Sequence, residues 1–317
     1  VKIVVLDGFA LNPGDLSWER LQEIGVCTIY DRTSPTEVLQ RSAGAEALIT
    51  NKVVLNKDII EQLPSLKYIG VTATGYNVVD IQAASEKGIV VTNIPAYSTD
   101  SVAQLVFSHI LAVANRIELH ADSVKNGEWA SCPDFSYCLS PQIELAGKTL
   151  GIIGFGRIGR RVAEIGLAFG MKVVFQNRSV KKELTQGMTQ KSLAEVFAES
   201  DFISLNCPLT ADNVEFVNSG LLRTMKPTAI LINTGRGGLV HEKDLAEALN
   251  SGVIKAACLD VLSSEPPKAE NPLIGAKNCF ITPHMAWATF EARQRLLGIT
   301  IENIKSYISG NYQNVVK

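Results

Sequence analysis

The 317-residue sequence predicts an α/β fold of two Rossmann-like lobes, each a doubly wound parallel sheet, with a cleft between them. Three observations lead there. Short runs rich in Val and Ile alternate with amphipathic stretches, as expected of parallel strands covered on both faces. The alternation falls into two series separated by one long helical stretch. The length is too great for one ordinary core and suits two domains of ~100–200 residues each. Composition agrees: 46% hydrophobic and 20% charged is globular, far from the disordered range.

The first series offers the strands KIVVLD (2–7), VCTIY (26–30), ALIT (47–50), YIGVT (68–72) and IVVTN (89–93). Helical candidates lie between them at 17–23, 35–41, 57–62 and 80–87. A long helical segment then spans about 98–129, with Val102, Leu105, Val106, Ile110, Leu111 and Val113 as its apolar positions and Ser98, Thr99 and Asp100 as N-cap candidates. The loop CPDFSYCLSPQIELAGK follows. The second series comprises TLGIIG (149–154), KVVFQ (172–176), FISLN (202–206), AILIN (229–233), KAACLD (255–260) and CFIT (279–282). A last helix, about 288–309, has no strand after it. We expect it to return to the first lobe. The domains are then 1–98 completed by 288–317, the substrate domain, and 99–287, the dinucleotide-binding domain, with two crossings acting as hinges.

Bulk properties narrow the function. A net charge of −2 without a long basic run lacks the footprint of a nucleic-acid binder. The longest apolar stretch, Leu105 to Ala114, is interrupted by Ser108 and His109 and is too short for a bilayer. The opening VKIVVLDG runs straight into a strand pattern, without signal-peptide anatomy, so a cytoplasmic location is expected. Cysteines 27, 132, 138, 207, 258 and 279 form no CxxC pair and no cluster with His. They read as small hydrophobes in a reducing compartment, and no metal site is expected.

The segment GIIGFGRIGR contains Gly154-x-Gly156-x-x-Gly159 between a strand and a helical pattern running to Phe169. In a dinucleotide fingerprint the first Gly makes the tight turn, the second lets backbone approach the pyrophosphate, and the third lets helix and strand pack closely. Arg157 and Ile158 open the helix, whose free N–H groups suit an anion. A site for NAD places an acid at the end of the next strand. That strand reads KVVFQNRS, so Asn177 takes the acid's position, followed by Arg178 and Ser179, with Lys181 and Lys182 nearby. The missing carboxylate and the added arginine favour a 2′-phosphate, hence NADP(H) or dual use. The plainer alternative makes Arg178 a solvated loop residue while Asn177 still binds ribose.

The chain has four histidines. His109 and His120 fall in or near the long helix, where core or surface roles are expected, and His241 is placed to cap a helix. His284, in ITPHMAWAT, follows a strand that ends on the ligand-binding edge, as does Glu265 in LDVLSSEPP. A carboxylate on one ring nitrogen fixes an imidazole and favours its charged form, which suits proton transfer near neutral pH. Arg236 lies in AILINTGRGGLV, after a strand ending on that edge. Its planar guanidinium matches a carboxylate or an adjacent keto oxygen; the alternative is an arginine capping carbonyls. Thr74 and Gly75 follow a strand of the first lobe, in what is on its own an ordinary βα turn.

Taken in order, GFGRIGR, INTGRGGLV, CLDVLSSEPP and TPHMAWAT resemble the D-isomer-specific 2-hydroxyacid dehydrogenases over essentially the whole chain. LDGFALNPGDLSW, ATGYNVVD and Trp287 resemble the glycerate dehydrogenase (hydroxypyruvate reductase) branch. The resemblance implies hydride transfer between a nicotinamide and a small 2-keto acid, hydroxypyruvate foremost and glyoxylate second. It implies that Arg236 binds the substrate's carboxylate and carbonyl, that His284 is the acid/base and that Glu265 is its partner. Thr74 and Gly75 would hold the substrate carboxylate, with Tyr76 and Trp287 at the substrate's side chain. Asp260 would hold the nicotinamide carboxamide; Val102, Cys207, Pro208, Thr234, Gly235 and His284 would complete the cofactor's contacts. Family members are usually homodimers paired through the nucleotide-binding lobes, and the resemblance implies the same here. Asn177 departs from the family's usual Asp, and Tyr76 stands where the branch often has a smaller residue. The rival reading is a dinucleotide-sensing scaffold of the corepressor kind, against which the lack of a recruitment tail weighs.

Overall fold

A computed structural model describes residues 1–181 and 185–316; Lys182 lies outside the described residues. The chain divides into two compact units, Val1–Ser98 with Ala288–Lys317, and Thr99–Trp287.

The first unit holds a five-stranded parallel sheet: β1 Lys2–Val5, β2 Val26–Ile29, β3 Ala47–Thr50, β4 Tyr68–Val71 and β5 Val90–Thr92, in the order β2-β1-β3-β4-β5. Five short helices lie between these strands: α1 Gly8–Leu11, α2 Glu19–Gln22, α3 Val38–Ser42, α4 Lys57–Glu61 and α5 Ile81–Glu86. β3 and β4 are buried at every residue, which explains their unbroken apolar reading. Asn56 and Asp80 cap α4 and α5 through their side chains. Asp7, just after β1, accepts hydrogen bonds from the amides of Asn51 (2.8 Å), Lys52 (2.6 Å) and Val53 (3.1 Å). Asn51 in turn donates through Nδ2 to Thr72 O at 2.7 Å. One carboxylate therefore orders the loop after β3, and through it the exit of β4.

The second unit opens with α6 Thr99–Asn115 and α7 Ile117–Lys125. This corrects the single segment expected over 98–129. Arg116 sits between the two helices at φ 49, in the left-handed region, and ends the first. Seven parallel strands follow: β6 Thr149–Ile153, β7 Lys172–Gln176, β8 Met188–Gln190, β9 Phe202–Leu205, β10 Ile230–Asn233, β11 Ala256–Leu259 and β12 Cys279–Ile281. Their order is β12-β11-β10-β9-β6-β7-β8. The helices between them are α8 Arg157–Ala168, α9 Leu193–Glu199, α10 Ser219–Leu222 and α11 Glu242–Asn250. α12 Phe290–Ile308, capped by Thr289, belongs to the first unit.

Both faces of the larger sheet carry a core. Ile203, Leu205 and Leu231 enter one apolar cluster with Phe197 and Leu245. Phe202, Ile230 and Ile232 enter the other, with Ile110 and Phe175. Alternate side chains of one strand thus serve opposite layers, which is why the strands read as continuous hydrophobic runs. α6 lies in the second cluster through Val106, Ile110 and Val113. Among the described residues no single helix is long and apolar enough to cross a membrane.

Replacing Asp7 with Ala strands three amides. It should destabilise the first unit by about 1–3 kcal/mol, read as a lower urea midpoint; an unchanged midpoint contradicts this role.

Candidate active site

Parallel pairing sets one row of residues across the second unit's sheet: Gln176, Ile153, Leu205, Asn233, Leu259 and Ile281, on β7, β6, β9, β10, β11 and β12. Each strand then leaves the sheet on the same edge. The exits carry Asn177 to Ser179, the glycine turn, Cys207 and Pro208, Thr234 to Arg236, Asp260 with Glu265, and His284. Neighbouring strands are ~4.8 Å apart, so β10, β11 and β12 deliver a cation, an acid and an imidazole within a few strand spacings.

The glycine turn has the geometry its spacing predicts. Gly154 takes φ 92, a conformation that disfavours other residues, and a Cβ there would meet Cys207 N at 2.6 Å. A Cβ on Gly156 would meet nothing within 4 Å, which leaves open space beside the N-cap of α8. A Cβ on Gly159 would lie 2.2 Å from Gly154 O, so the third glycine seats the helix on its strand. A cavity of about 690 Å³ adjoins this turn, lined among others by Gly154, Gly156, Asn177, Arg178, Ser179, Cys207 and Pro208. Its size falls within the range of small-molecule and cofactor sites. Leu193, Thr210, Asn213 and Phe216 also line it and were not singled out from the sequence. The reciprocal Thr210–Asn213 cap is their only local signal. Asn177 is structurally engaged: Oδ1 accepts from Phe155 N at 3.2 Å and Nδ2 donates to Ser179 O and Oγ at 3.0 Å. Arg178 is exposed at the cavity and makes no ion pair among the described residues. Burial pushes the Cys207 thiol above its ordinary pKa, and the nearby Arg178 charge opposes that shift.

Val102, Thr234, Gly235, Asp260 and His284 are not in the cavity's described lining. Val102 is buried in α6. Thr234 Oγ1 and Asn206 Oδ1, at the ends of β10 and β9, are buried without a hydrogen-bond partner among the described residues. Such orphans call for a polar guest. With the open face of Gly156 and the helix N-terminus, they fit a dinucleotide laid along this edge.

Arg236 is held by its strand end. Asn233, 1% exposed, accepts from Gly235 N at 3.0 Å and donates to Arg236 O at 2.9 Å. The guanidinium itself is exposed, donates only to Gly235 O at 2.8 Å, and makes no ion pair among the described residues. Its full charge therefore remains available to an anion. Gly237 packs directly on the next loop: a Cβ there would fall 1.9 Å from Leu262 C. Leu262 N donates to Glu265 Oε1 at 3.1 Å, and His284 Nδ1 donates to Glu265 Oε2 at 2.5 Å. Contact thus runs from the Arg236 loop through the Glu265 loop to the imidazole. With Nδ1–H committed to the carboxylate, Nε2 is the ring atom left to exchange a proton.

Two further acids organise these loops. Glu242, at the start of α11, accepts from Ser263 N at 2.7 Å and Asn271 Nδ2 at 2.8 Å. Asp260, 1% exposed, accepts through Oδ1 from Thr282 Oγ1 at 2.6 Å and Met285 N at 2.9 Å, and through Oδ2 from Ala286 N at 2.8 Å. His284 has φ 52, an unfavourable conformation for a non-glycine residue that costs about 1–3 kcal/mol and tends to mark functional sites. His241 caps α11, its Nδ1 accepting from Asp244 N at 3.3 Å; His109 is 6% exposed in α6. Trp287 follows the His284 loop and is half-buried. In the first unit, Thr74, Gly75 and Tyr76 lie on the loop after β4. Thr74 Oγ1 donates to Ile94 O at 2.8 Å, and Asn93 Nδ2 donates to Thr74 O at 2.8 Å.

Residues 107–286, more than half of the chain, match the family model described as D-isomer specific 2-hydroxyacid dehydrogenase, NAD binding domain. The chain belongs to the D-isomer-specific 2-hydroxyacid dehydrogenases. This 2-hydroxyacid dehydrogenase is 45% identical to the hydroxypyruvate reductase of Blautia hydrogenotrophica, covering 100% of this chain and 99% of that one. It is 40% identical to the glycerate dehydrogenase of Methylorubrum extorquens, covering 91% of each. In structure it is similar to an acyclic imino acid reductase in complex with NADPH and D-Arg, with a TM-score of 0.86 at 34% identity and 100% coverage of both chains. The family carries an NAD(P)-binding domain and two-sheet α/β architecture, as read from the sequence.

Placing a methyl group at Gly159 must displace α8 from its strand. Gly159→Ala should weaken nicotinamide dinucleotide binding at least about tenfold, with the shift of a ligand-facing helix N-terminus as the cause. Titration of cofactor fluorescence checks it, and an unchanged affinity contradicts the packing role.

Proposed function

We propose that this dehydrogenase interconverts a small 2-keto acid and its D-2-hydroxy acid. Hydroxypyruvate and D-glycerate are the first pair, and glyoxylate is a second substrate. The names of the two curated relatives support the substrate class. The observation that carries the reading is the 2.5 Å His284–Glu265 hydrogen bond, one packed loop away from an arginine with no anionic partner among the described residues.

When bound, NADP(H) or NAD(H) supplies or accepts the hydride at C2 of the acid. The protein's residues do the rest. Arg236 binds the substrate carboxylate and the adjacent carbonyl oxygen, and stabilises the negative charge growing on that oxygen by ~3–4 kcal/mol, as oriented donors do. His284 Nε2 donates the proton to it, general acid catalysis of the kind that contributes roughly 10²–10⁴-fold. Glu265 holds the ring through its hydrogen bond to Nδ1. Thr74 and Gly75 offer backbone amides to a carboxylate, and Tyr76 and Trp287 select the substrate's side chain.

For the dinucleotide, Gly154 to Gly159 would hold the pyrophosphate, with Arg157 and Ile158 at the helix start. Val102, Cys207, Pro208, Thr234, Gly235 and His284 would make further contacts, and Asp260 would serve the carboxamide. Arg178 and Ser179 favour NADP(H) over NAD(H), or dual use; the lack of an ion pair to Arg178 among the described residues, its place beside the cavity and the absence of an acid at 177 support this. A homodimer through the nucleotide-binding unit, residues 99–287, completes the reading. Ile117 (68% exposed), Trp129 (53%) and Phe135 (91%) supply apolar surface for it. The six free thiols support a reducing, cytoplasmic setting.

Reduction of hydroxypyruvate, followed by absorbance of the reduced nicotinamide, tests the roles. His284→Ala should lower kcat by about 10²–10⁴-fold while cofactor affinity holds; turnover within a few-fold of wild type contradicts the assignment. Arg178→Ala should raise KM for NADPH and leave KM for NADH in place. An unchanged ratio makes Arg178 a bystander.

A further inference from the structure

The loop 282–286 carries a histidine in a left-handed backbone conformation, and side chains from β11's exit and from α6 hold it there. We propose that Ser101 and Thr282 are positioning residues that, together with Asp260, clamp this loop and set where the His284 imidazole stands. The inference rests on the acid/base role assigned to His284 above.

The clamp grips the loop from both sides. Asp260 gathers the Thr282 hydroxyl and the Met285 and Ala286 amides, so its carboxylate bridges residues before and after His284. Ser101, in the first turn of α6, donates from Oγ to Ala286 O at 2.5 Å. The peptide units after His284 are thereby tied through N–H to β11's exit and through C=O to α6. His284 N also donates to Thr282 O at 2.9 Å, so the turn closes on the residue that Asp260 already holds. All three anchors are shielded: Ser101 is 5% exposed and Asp260 1%, and the Thr282–Asp260 bond is partly buried. Water competes poorly for these bonds, and a left-handed histidine persists only where its surroundings over-determine it. The Thr282 hydroxyl donates to Asp260. It therefore receives, and does not give, the weaker 3.4 Å contact with His109 Nε2.

Releasing one anchor lets the loop relax toward ordinary backbone angles and withdraws the imidazole from Glu265. A displacement of that kind affects the chemical step more than substrate capture. Ser101→Ala and Thr282→Val should each lower kcat on hydroxypyruvate about tenfold, with KM for the keto acid within about twofold. Thr282→Ser keeps the hydroxyl and should stay within about threefold of wild type. A second readout needs no turnover: in the ligand-free protein, the deshielded proton resonance of His284 Nδ1–H, bonded to Glu265, should broaden or move upfield in Ser101→Ala and Thr282→Val and persist in Thr282→Ser. Folded Ser101→Ala and Thr282→Val proteins with wild-type kcat and an unmoved resonance overturn the clamp. Equal losses in Thr282→Ser and Thr282→Val also overturn it, since packing and not the hydroxyl would then be responsible. If wild type reduces no 2-keto acid, the proposed function fails while the resonance still decides the clamp.

Discussion

The second unit depends on the register of its parallel sheet. Because β10, β11 and β12 pair in parallel with Asn233, Leu259 and Ile281 aligned, their three loops leave on one edge at neighbouring positions. That alignment brings the loops of Arg236, Glu265 and His284, distant in the chain, to neighbouring strand exits. The same row continues through Leu205 and Ile153 to Gln176, which places the glycine turn and the Asn177–Ser179 segment on the same edge. Ligands of open α/β sheets bind at this edge for this reason.

Carboxylates then turn a set of loop ends into a fixed arrangement. Asp7 holds three amides in the first unit. In the second, Glu242 holds the loop after β11 and Asp260 holds the loop after β12. Glu265 differs: it bonds a backbone amide with one oxygen and the imidazole with the other. Loops carry many backbone groups that no ladder satisfies, and an ionised acceptor inside the loop meets several of them at once.

Much of this was legible in the sequence. ALIT and KVVFQ coincide with β3 and β7, because the central residues of a strand buried on both faces are apolar. The glycine fingerprint was legible because Gly154 and Gly159 each answer a steric demand of the fold, while Gly156 leaves space open beside the helix N-terminus. His284 and Glu265 stood out as polar groups at strand exits. What escaped notice depends on contacts far apart in the chain. Ser101 and Ala286 are 185 positions apart, and nothing near Ser101 distinguishes it from another N-terminal helix residue. Glu242 reads as an ordinary first-turn acid until Ser263 and Asn271 are beside it. Arg116 carries no glycine or proline to announce the break between α6 and α7, so tertiary packing had to reveal it. β8 escaped because MTQ has no apolar run.

The central claim is that Glu265 serves the chemical step through His284. A double-mutant cycle on kcat with Glu265→Gln and His284→Gln tests it most directly, since residues that work as a unit are non-additive. The account predicts that adding Glu265→Gln to His284→Gln costs nothing further, within about twofold, although Glu265→Gln alone is strongly impaired. Two losses that multiply would show that the carboxylate and the imidazole act independently, and would contradict the account.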